Sequence, residues 1–202
     1  MAVLADYRSD VGNLLATAVD ASTWTTALLD EALRRALGEL NLLLVYESDF
    51  TVATGGYEQD LSSLTDIYTV LAVAYPWQEG WDFARYLAVW RVVGPNKIYF
   101  STVRPAAGET IRVRYCKQHK IDDLDSAAAT TVPDLHRSLV ALWAAAYACE
   151  LRQRQLSENP ALPNDAGKQL AGVAVCFRRR AQETISHIPP LGRLRWGNIG
   201  LD

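Results

Sequence analysis

The sequence predicts an α+β protein: a four-helix bundle interrupted by an inserted small antiparallel β-module, sandwich- or barrel-like, with an extended C-terminal tail. Three features of the pattern point there. Apolar residues recur at helical spacing near both ends of the chain, short β-branched and aromatic runs fill the middle, and paired prolines stop the last helix ahead of an apolar end. The expected organisation is residues 1–45 and 122–188 for the helical bundle, 46–121 for the inserted β domain and 189–202 for the tail.

The first helical signal runs from Leu4 to Leu15, with Leu4, Tyr7, Val11, Leu14 and Leu15 on one face. Ala21-Ser22-Thr23-Trp24-Thr25-Thr26 is a cluster of potential caps. It precedes the stripe Leu28, Leu29, Ala32, Leu33, Ala36, Leu37 and Leu40, which predicts a second helix over about 25–45. The period then shortens. Tyr46–Thr54 and Tyr57–Leu61, divided by Gly55-Gly56, read as a hairpin. Ile67–Trp77, Arg85–Val93, Lys97–Thr102 and Thr110–Lys117 read as further strands, with Gly94-Pro95-Asn96 and Pro105–Gly108 as turns. In the last strand Ile111, Val113 and Tyr115 alternate with Arg112 and Arg114, the pattern of a strand with one wet face.

Helix resumes at Pro133, a favoured first-turn residue, with Thr131 as its expected cap. Leu135, Leu139, Leu142, Trp143, Ala146 and Tyr147 carry its stripe to about Leu156. Asn159–Pro163 breaks the pattern, and a fourth helix over about 163–186 carries Leu170, Val173, Ala174 and Phe177. Ile188-Pro189-Pro190 ends it, and the remaining residues read as an extended tail.

Composition narrows the class of function. The 202 residues are 50% hydrophobic and 21% charged, a globular balance. A chain of this length buries about 70% of its unfolded surface, so it needs no metal or disulfide staple. Cys116, Cys149 and Cys176 are widely spaced and read as small buried hydrophobes of a reducing compartment. The N-terminus is acidic by Asp6 and lacks a signal-peptide pattern, and no apolar run is long enough for a membrane span, so a non-secreted protein without membrane contact is expected. Charge is uneven. Residues 1–101 carry 6 basic and 13 acidic side chains, whereas 102–202 carry 14 and 10, within a net charge of −3. An acidic body with a basic end suggests directional docking on an acidic surface and argues against a general duplex-DNA binder.

Catalytic patterns are weak. His119, His136 and His187 fall in different elements, and Cys116 with His119 sits at a strand end where the two side chains tend to opposite faces. Asp122-Asp123-Leu124-Asp125 lacks the glycine and distal glutamate of a calcium loop, and Gly55-Gly56 lacks the lysine and hydroxyl of a phosphate cradle. Neither a cofactor nor a metal is expected, and the chain reads as a non-enzyme. Arg178-Arg179-Arg180 is the strongest charge run, readable as a solvated helix end or as a docking or subunit contact. The tail combines Leu191, Leu194, Trp196, Ile199 and Leu201 with Arg193 and Arg195, the composition of a segment that packs on its own domain or orders on a partner, and the two prolines ahead of it favour the partner.

The ordered landmarks resemble those of the head–tail connector (adaptor) proteins of tailed bacteriophages. They are Asp6–Val11, Trp24-Thr25 ahead of Leu29–Leu37, Tyr57–Leu64 leading into Ile67–Tyr75, Ile111–Tyr115 before Lys117-Gln118-His119, Thr131–His136, and the Ala-rich stretch Leu139–Glu150. The likeness covers roughly residues 1–156, and the tail by position only. It implies a ring, usually of twelve copies, docked on the portal protein and carrying stopper or tail proteins. Double-stranded DNA would pass through its channel without sequence-specific binding. The implied location is the virion head–tail interface, and the host cytoplasm during assembly. On this reading Leu191, Arg193, Leu194, Arg195 and Trp196 anchor each subunit to the portal, with Arg178, Arg179 and Arg180 at subunit or portal contacts. A phage stopper or tail-completion ring, a nucleic-acid-binding module and a hydrolase are the alternatives.

Overall fold

The computed structural model describes residues 2–15, 23–158 and 164–187. The described residues form an α+β fold with four α-helices and two three-stranded antiparallel sheets. The helices are α1 (Leu4–Leu14), α2 (Thr26–Leu43), α3 (Arg137–Ser157) and α4 (Asn164–Ser186); the strands are β1 (Val45–Thr51), β2 (Glu58–Asp60), β3 (Ile67–Ala74), β4 (Trp90–Gly94), β5 (Lys97–Phe100) and β6 (Thr110–Lys117). Contacts divide the chain into two compact units. One contains the residues up to Leu40 and those from His119 through α4; the other is Asn41–Gln118.

The helical unit follows the apolar stripes. In α2 the whole predicted set Leu28, Leu29, Ala32, Leu33, Ala36, Leu37 and Leu40 is buried. Its N-terminus is closed by Thr25, whose hydroxyl accepts the Leu28 N–H at 3.2 Å. At the start of α1 the Asp6 carboxylate accepts the Val3 N–H at 2.9 Å, which also places an anion at the positive end of the helix dipole. α3 packs against α1 and α4. Its Ala144, Ala145, Ala146 and Ala148 are fully buried and let those neighbours approach closely.

Polar and charged side chains tie the helices to one another. Arg8 holds Asp30 through two hydrogen bonds of 2.8 and 2.7 Å, joining α1 to α2. Arg137 donates to Asp10 at 2.6 Å, joining α3 to α1, and the Tyr147 hydroxyl donates to Glu39 at 2.5 Å, joining α3 to α2. Arg34 of α2 grips Asp125 of the acidic connector. In that connector Asp123, Asp125 and Ser126 all adopt left-handed backbone conformations, and the Arg34 fork helps to hold the turn.

Several local expectations need correction. The third helix does not begin on Pro133, whose backbone is extended (ψ 137°); a 3-10 turn, Asp134–His136, leads into α3. Thr131 is not its cap, because its hydroxyl accepts the Lys120 N–H at 2.8 Å and is thereby committed to the preceding connection. Leu135 and Val173, assigned to the apolar stripes, are 74% and 42% exposed. The extra turn of 3-10 geometry rotates Leu135 off the α3 stripe. Cys176 is exposed, while Cys116 and Cys149 are buried.

In the β unit the sheets run in the orders β1-β6-β3 and β2-β5-β4. The expected hairpin across Gly55-Gly56 does not form: β1 pairs with β6 and β2 with β5. The reason is a close backbone approach. The Gly56 N–H donates to Pro105 O at 3.0 Å, and a Cβ on Gly55 would lie 3.3 Å from both Ala107 N and Pro105 O. These glycines admit a neighbouring loop rather than a tight turn. The turn at Gly94-Pro95-Asn96 does join paired strands, β4 and β5, with Asn96 at φ 55°. Of residues 85–89, expected within a strand, Arg85 and Tyr86 end a 3-10 turn (Phe83–Tyr86), Leu87 makes an isolated bridge to Ala74, and β4 starts only at Trp90.

One core draws on both sheets: Phe50, Val73, Ile111, Val113 and Tyr115 from the first, Ile98 and Phe100 from the second, with Val52 and Leu61 beside them. The other face of β6 is only partly wet. Arg112 and Arg114 pair with Asp49 and Glu47 across the strand, at 2.6 and 2.5 Å, and the Trp77 and Phe83 rings lie over their guanidinium groups at 4.5 and 4.2 Å. Small residues make room for this roof, since Ala72 and Ala74 are the β3 partners of Arg114 and Arg112.

Candidate functional site

A cleft of about 530 Å³ opens on the helical unit where the end of α1, the start of α3 and the later half of α4 meet. Its apolar lining is Leu14, Ala141 and Leu142, and its polar rim is Asp10, Asn13, Asp134, Arg137, Ser138 and Arg180. The sequence stripes dictate this composition. Leu14 and Leu142 belong to the inward faces of their helices but stand near helix ends, where the packing thins.

Two of the four charges are already committed to each other. Arg137 donates to Asp10 and lies 5.6 Å over the Tyr7 ring. Hydrogen bonding to Asp10 raises the Arg137 pKa and keeps it charged. Burial pushes the Tyr7 phenol up to about 12, so this ring stays neutral beneath the ion pair. Among the described residues, neither Asp134 nor Arg180 has an oppositely charged side chain within ion-pair distance. The cleft thus presents one uncommitted carboxylate and one uncommitted guanidinium around an aliphatic floor, and the exposed Leu135 follows Asp134 in the chain.

The arginine run separates into three environments. Arg178 donates to Glu150 at 2.9 and 2.7 Å and stacks 4.8 Å over Tyr147, cementing α4 to α3. Arg179 is outward and pairs with Glu183 one turn on, at 3.2 Å. Arg180 lines the cleft. Leu191, Arg193, Leu194, Arg195 and Trp196 lie outside the described residues. Sequence reasoning found Arg180 but missed Asp10, Asp134, Leu135 and Arg137. The available signal was the Pro133-Asp134 start, which places an acid and an apolar residue on an N-terminal turn.

The catalytic candidates have structural partners. Cys116 Sγ contacts Leu42 O at 3.9 Å and burial pushes its thiol up; burial likewise pushes Cys149 up to about 11. Thiols held that way are poor nucleophiles. His119 Nδ1 is 3.0 Å from Thr131 O. Among the described residues, no cluster of His, Cys, Asp and Glu could hold a metal ion, and no helix is long and apolar enough to cross a membrane.

His136, buried on the turn that carries Asp134 and Leu135, gives a pH prediction. Burial lowers its pKa below the ordinary 6.5. As pH falls through about 6.5 the unfolded chain takes up a proton that the folded protein still refuses, so stability falls until the folded imidazole also titrates. Above pH 6.5 this contribution is fully present. The expected result is a melting temperature that drops between pH 7 and 5.5, with a smaller drop in His136→Gln; equal drops in both proteins would remove His136 as the cause.

The β unit carries a second exposed feature. Leu87, Val89, Val92 and Val93 are 55%, 59%, 60% and 43% exposed along β4 and its approach, and β4 is an edge strand. An apolar edge of this kind is uncommon on a protein that stays alone.

No protein-family model matches the chain, and no curated protein matches it.

Proposed function

We infer that the protein is a structural head–tail connector of a tailed phage, an adaptor whose copies form a ring on the portal and extend the DNA channel. In this reading the architecture is a four-helix bundle interrupted by a sandwich-like β-module. The observation that carries it is the discontinuous helical unit, in which residues on either side of Asn41–Gln118 are tied by Arg137–Asp10 and Tyr147–Glu39. That is the arrangement expected from the resemblance of the ordered landmarks. The exposed apolar edge at β4 lends support, because a ring needs a head-to-tail contact between two different patches, and an aliphatic edge strand supplies one.

The tail is assigned to the portal. Leu191, Leu194 and Trp196 are the apolar anchors and Arg193 and Arg195 the charged ones. A segment that orders only on docking makes assembly conditional on the partner. Truncation after His187 is expected to leave the melting temperature unchanged and to abolish co-sedimentation with purified portal rings. Retained binding by the truncated chain would remove the tail from the contact. Electron microscopy of the mixture provides the wider check: closed rings on the portal are the expected image, and a monomer that ignores the portal would overturn the connector assignment.

A further inference from the structure

We propose that the face formed by Asp134, Leu135 and the adjoining cleft is a self-complementary contact for a second copy of this chain. The proposal stands on the geometry of the helical unit and is independent of the connector reading.

Leu135 is the knob. It is 74% exposed, yet it is not on a loose loop. The turn that carries it is fixed from below by buried His136, whose N–H donates to Pro133 O at 2.8 Å, and it runs directly into α3. A large aliphatic side chain held rigidly outward loses little further entropy on docking, which favours association. The hole is the cleft that the preceding residue, Asp134, lines: Leu14, Ala141 and Leu142 form an aliphatic floor large enough for a leucine side chain.

Charge selects the occupant. Asp10 and Arg137 neutralise each other, which leaves Asp134 and Arg180 as a carboxylate and a guanidinium without ion-pair partners among the described residues. A generic acidic partner would satisfy Arg180 and repel Asp134, and a basic one would do the reverse. A second copy related by a two-fold axis satisfies both. Asp134 of one protomer faces Arg180 of its partner, the reciprocal pair forms at the same time, and each Leu135 enters the opposite cleft. Asp134, Arg180 and the aliphatic floor line one cleft, and Leu135 follows Asp134 directly in the chain, so a two-fold contact is isologous and closes at two copies. Such a pair also hides Arg180 while it lasts. The patch is small, so the dimer is expected to be weak, with a dissociation constant on the order of 10–100 μM.

Sedimentation velocity of the full chain over a concentration series tests this. The native protein is expected to shift from monomer to dimer with concentration, and Leu135→Asp to stay monomeric. Asp134→Arg and Arg180→Asp are each expected to weaken pairing by about tenfold or more, since each sets like charges against one another. Mixing these two variants restores both charge pairs and is expected to give a dimer that neither forms alone. Circular dichroism of each variant confirms folding independently of pairing. A native protein that remains monomeric throughout would overturn the proposal, as would a dimer indifferent to Leu135→Asp or a mixture that fails to associate. None of these outcomes depends on portal binding, so the connector assignment is tested separately.

Discussion

Phe100→Ala is expected to destabilise the β unit by about 3–5 kcal/mol. Phe100 is fully buried and belongs to the core shared by the two sheets. Its ring meets the Tyr75 ring at a centroid distance of 5.8 Å and a tilt of 58°, and its N–H donates to Tyr57 O at 2.8 Å. The backbone hydrogen bond survives the substitution, so the loss is that of transferred apolar surface plus the cavity left behind. Relaxation into that cavity is restricted, because Ile98 and Ile111 are themselves fully buried and already packed. Against a typical total of about 5–15 kcal/mol, the loss is large enough to shift a urea midpoint strongly. Phe100→Leu, which keeps most of the volume, is expected to cost about 1–2 kcal/mol. A loss under about 1 kcal/mol for the alanine variant would mean that the two sheets do not share a tightly packed core.

The second large effect has the opposite cause. Ala145→Leu in α3 is expected to cost about 1–3 kcal/mol, or more if α1 and α4 cannot move apart. Intrinsic helix propensity barely distinguishes the two residues, so the chain's local preference contributes only about 0.2 kcal/mol. What decides the outcome is space: Ala145 is fully buried among Ala144, Ala146 and Ala148 on a helix that packs on two sides. Gln155→Leu, on the exposed later part of the same helix, is the control and should stay within about 0.5 kcal/mol of the native protein. Chemical denaturation of the two variants separates packing from propensity. Equal stability in both would show that the alanine surface is not a close contact.

What was legible depended on how local the cause was. The α2 stripe was complete because every residue from Leu28 to Leu40 on that face answers to one period, and the same period governs burial. The start and end of β6 were legible because Ile111, Val113 and Tyr115 alternate strictly with Arg112 and Arg114. Pairing was not. Gly55-Gly56 looks the same whether it makes a tight turn or admits the 105–107 backbone, and only the tertiary arrangement selects the second. Arg112 and Arg114 looked wet because no local rule records that Trp77 and Phe83 come to lie over them. The cleft was legible only in part. Arg180 stood out within a charge run, whereas Asp10 and Arg137 carry an ordinary charge each and gain meaning from a contact across 127 positions. Leu135 was misplaced by a single turn of 3-10 geometry, which shifts the phase of a helical pattern without changing its composition.

The division of the helical unit by an intervening stretch of chain also dictates an order of events during translation. Asp10 leaves the ribosome 127 residues ahead of Arg137, a delay of about 6–25 s at ordinary elongation rates. Through that interval Asp10 and Glu39 lack the Arg137 and Tyr147 that hold them in the folded protein. The strands, by contrast, are all synthesised once Lys117 has emerged, so the middle of the chain can close before either end does. Every strand of the β unit is therefore made before the residues that join α3 to α1 and α2 exist.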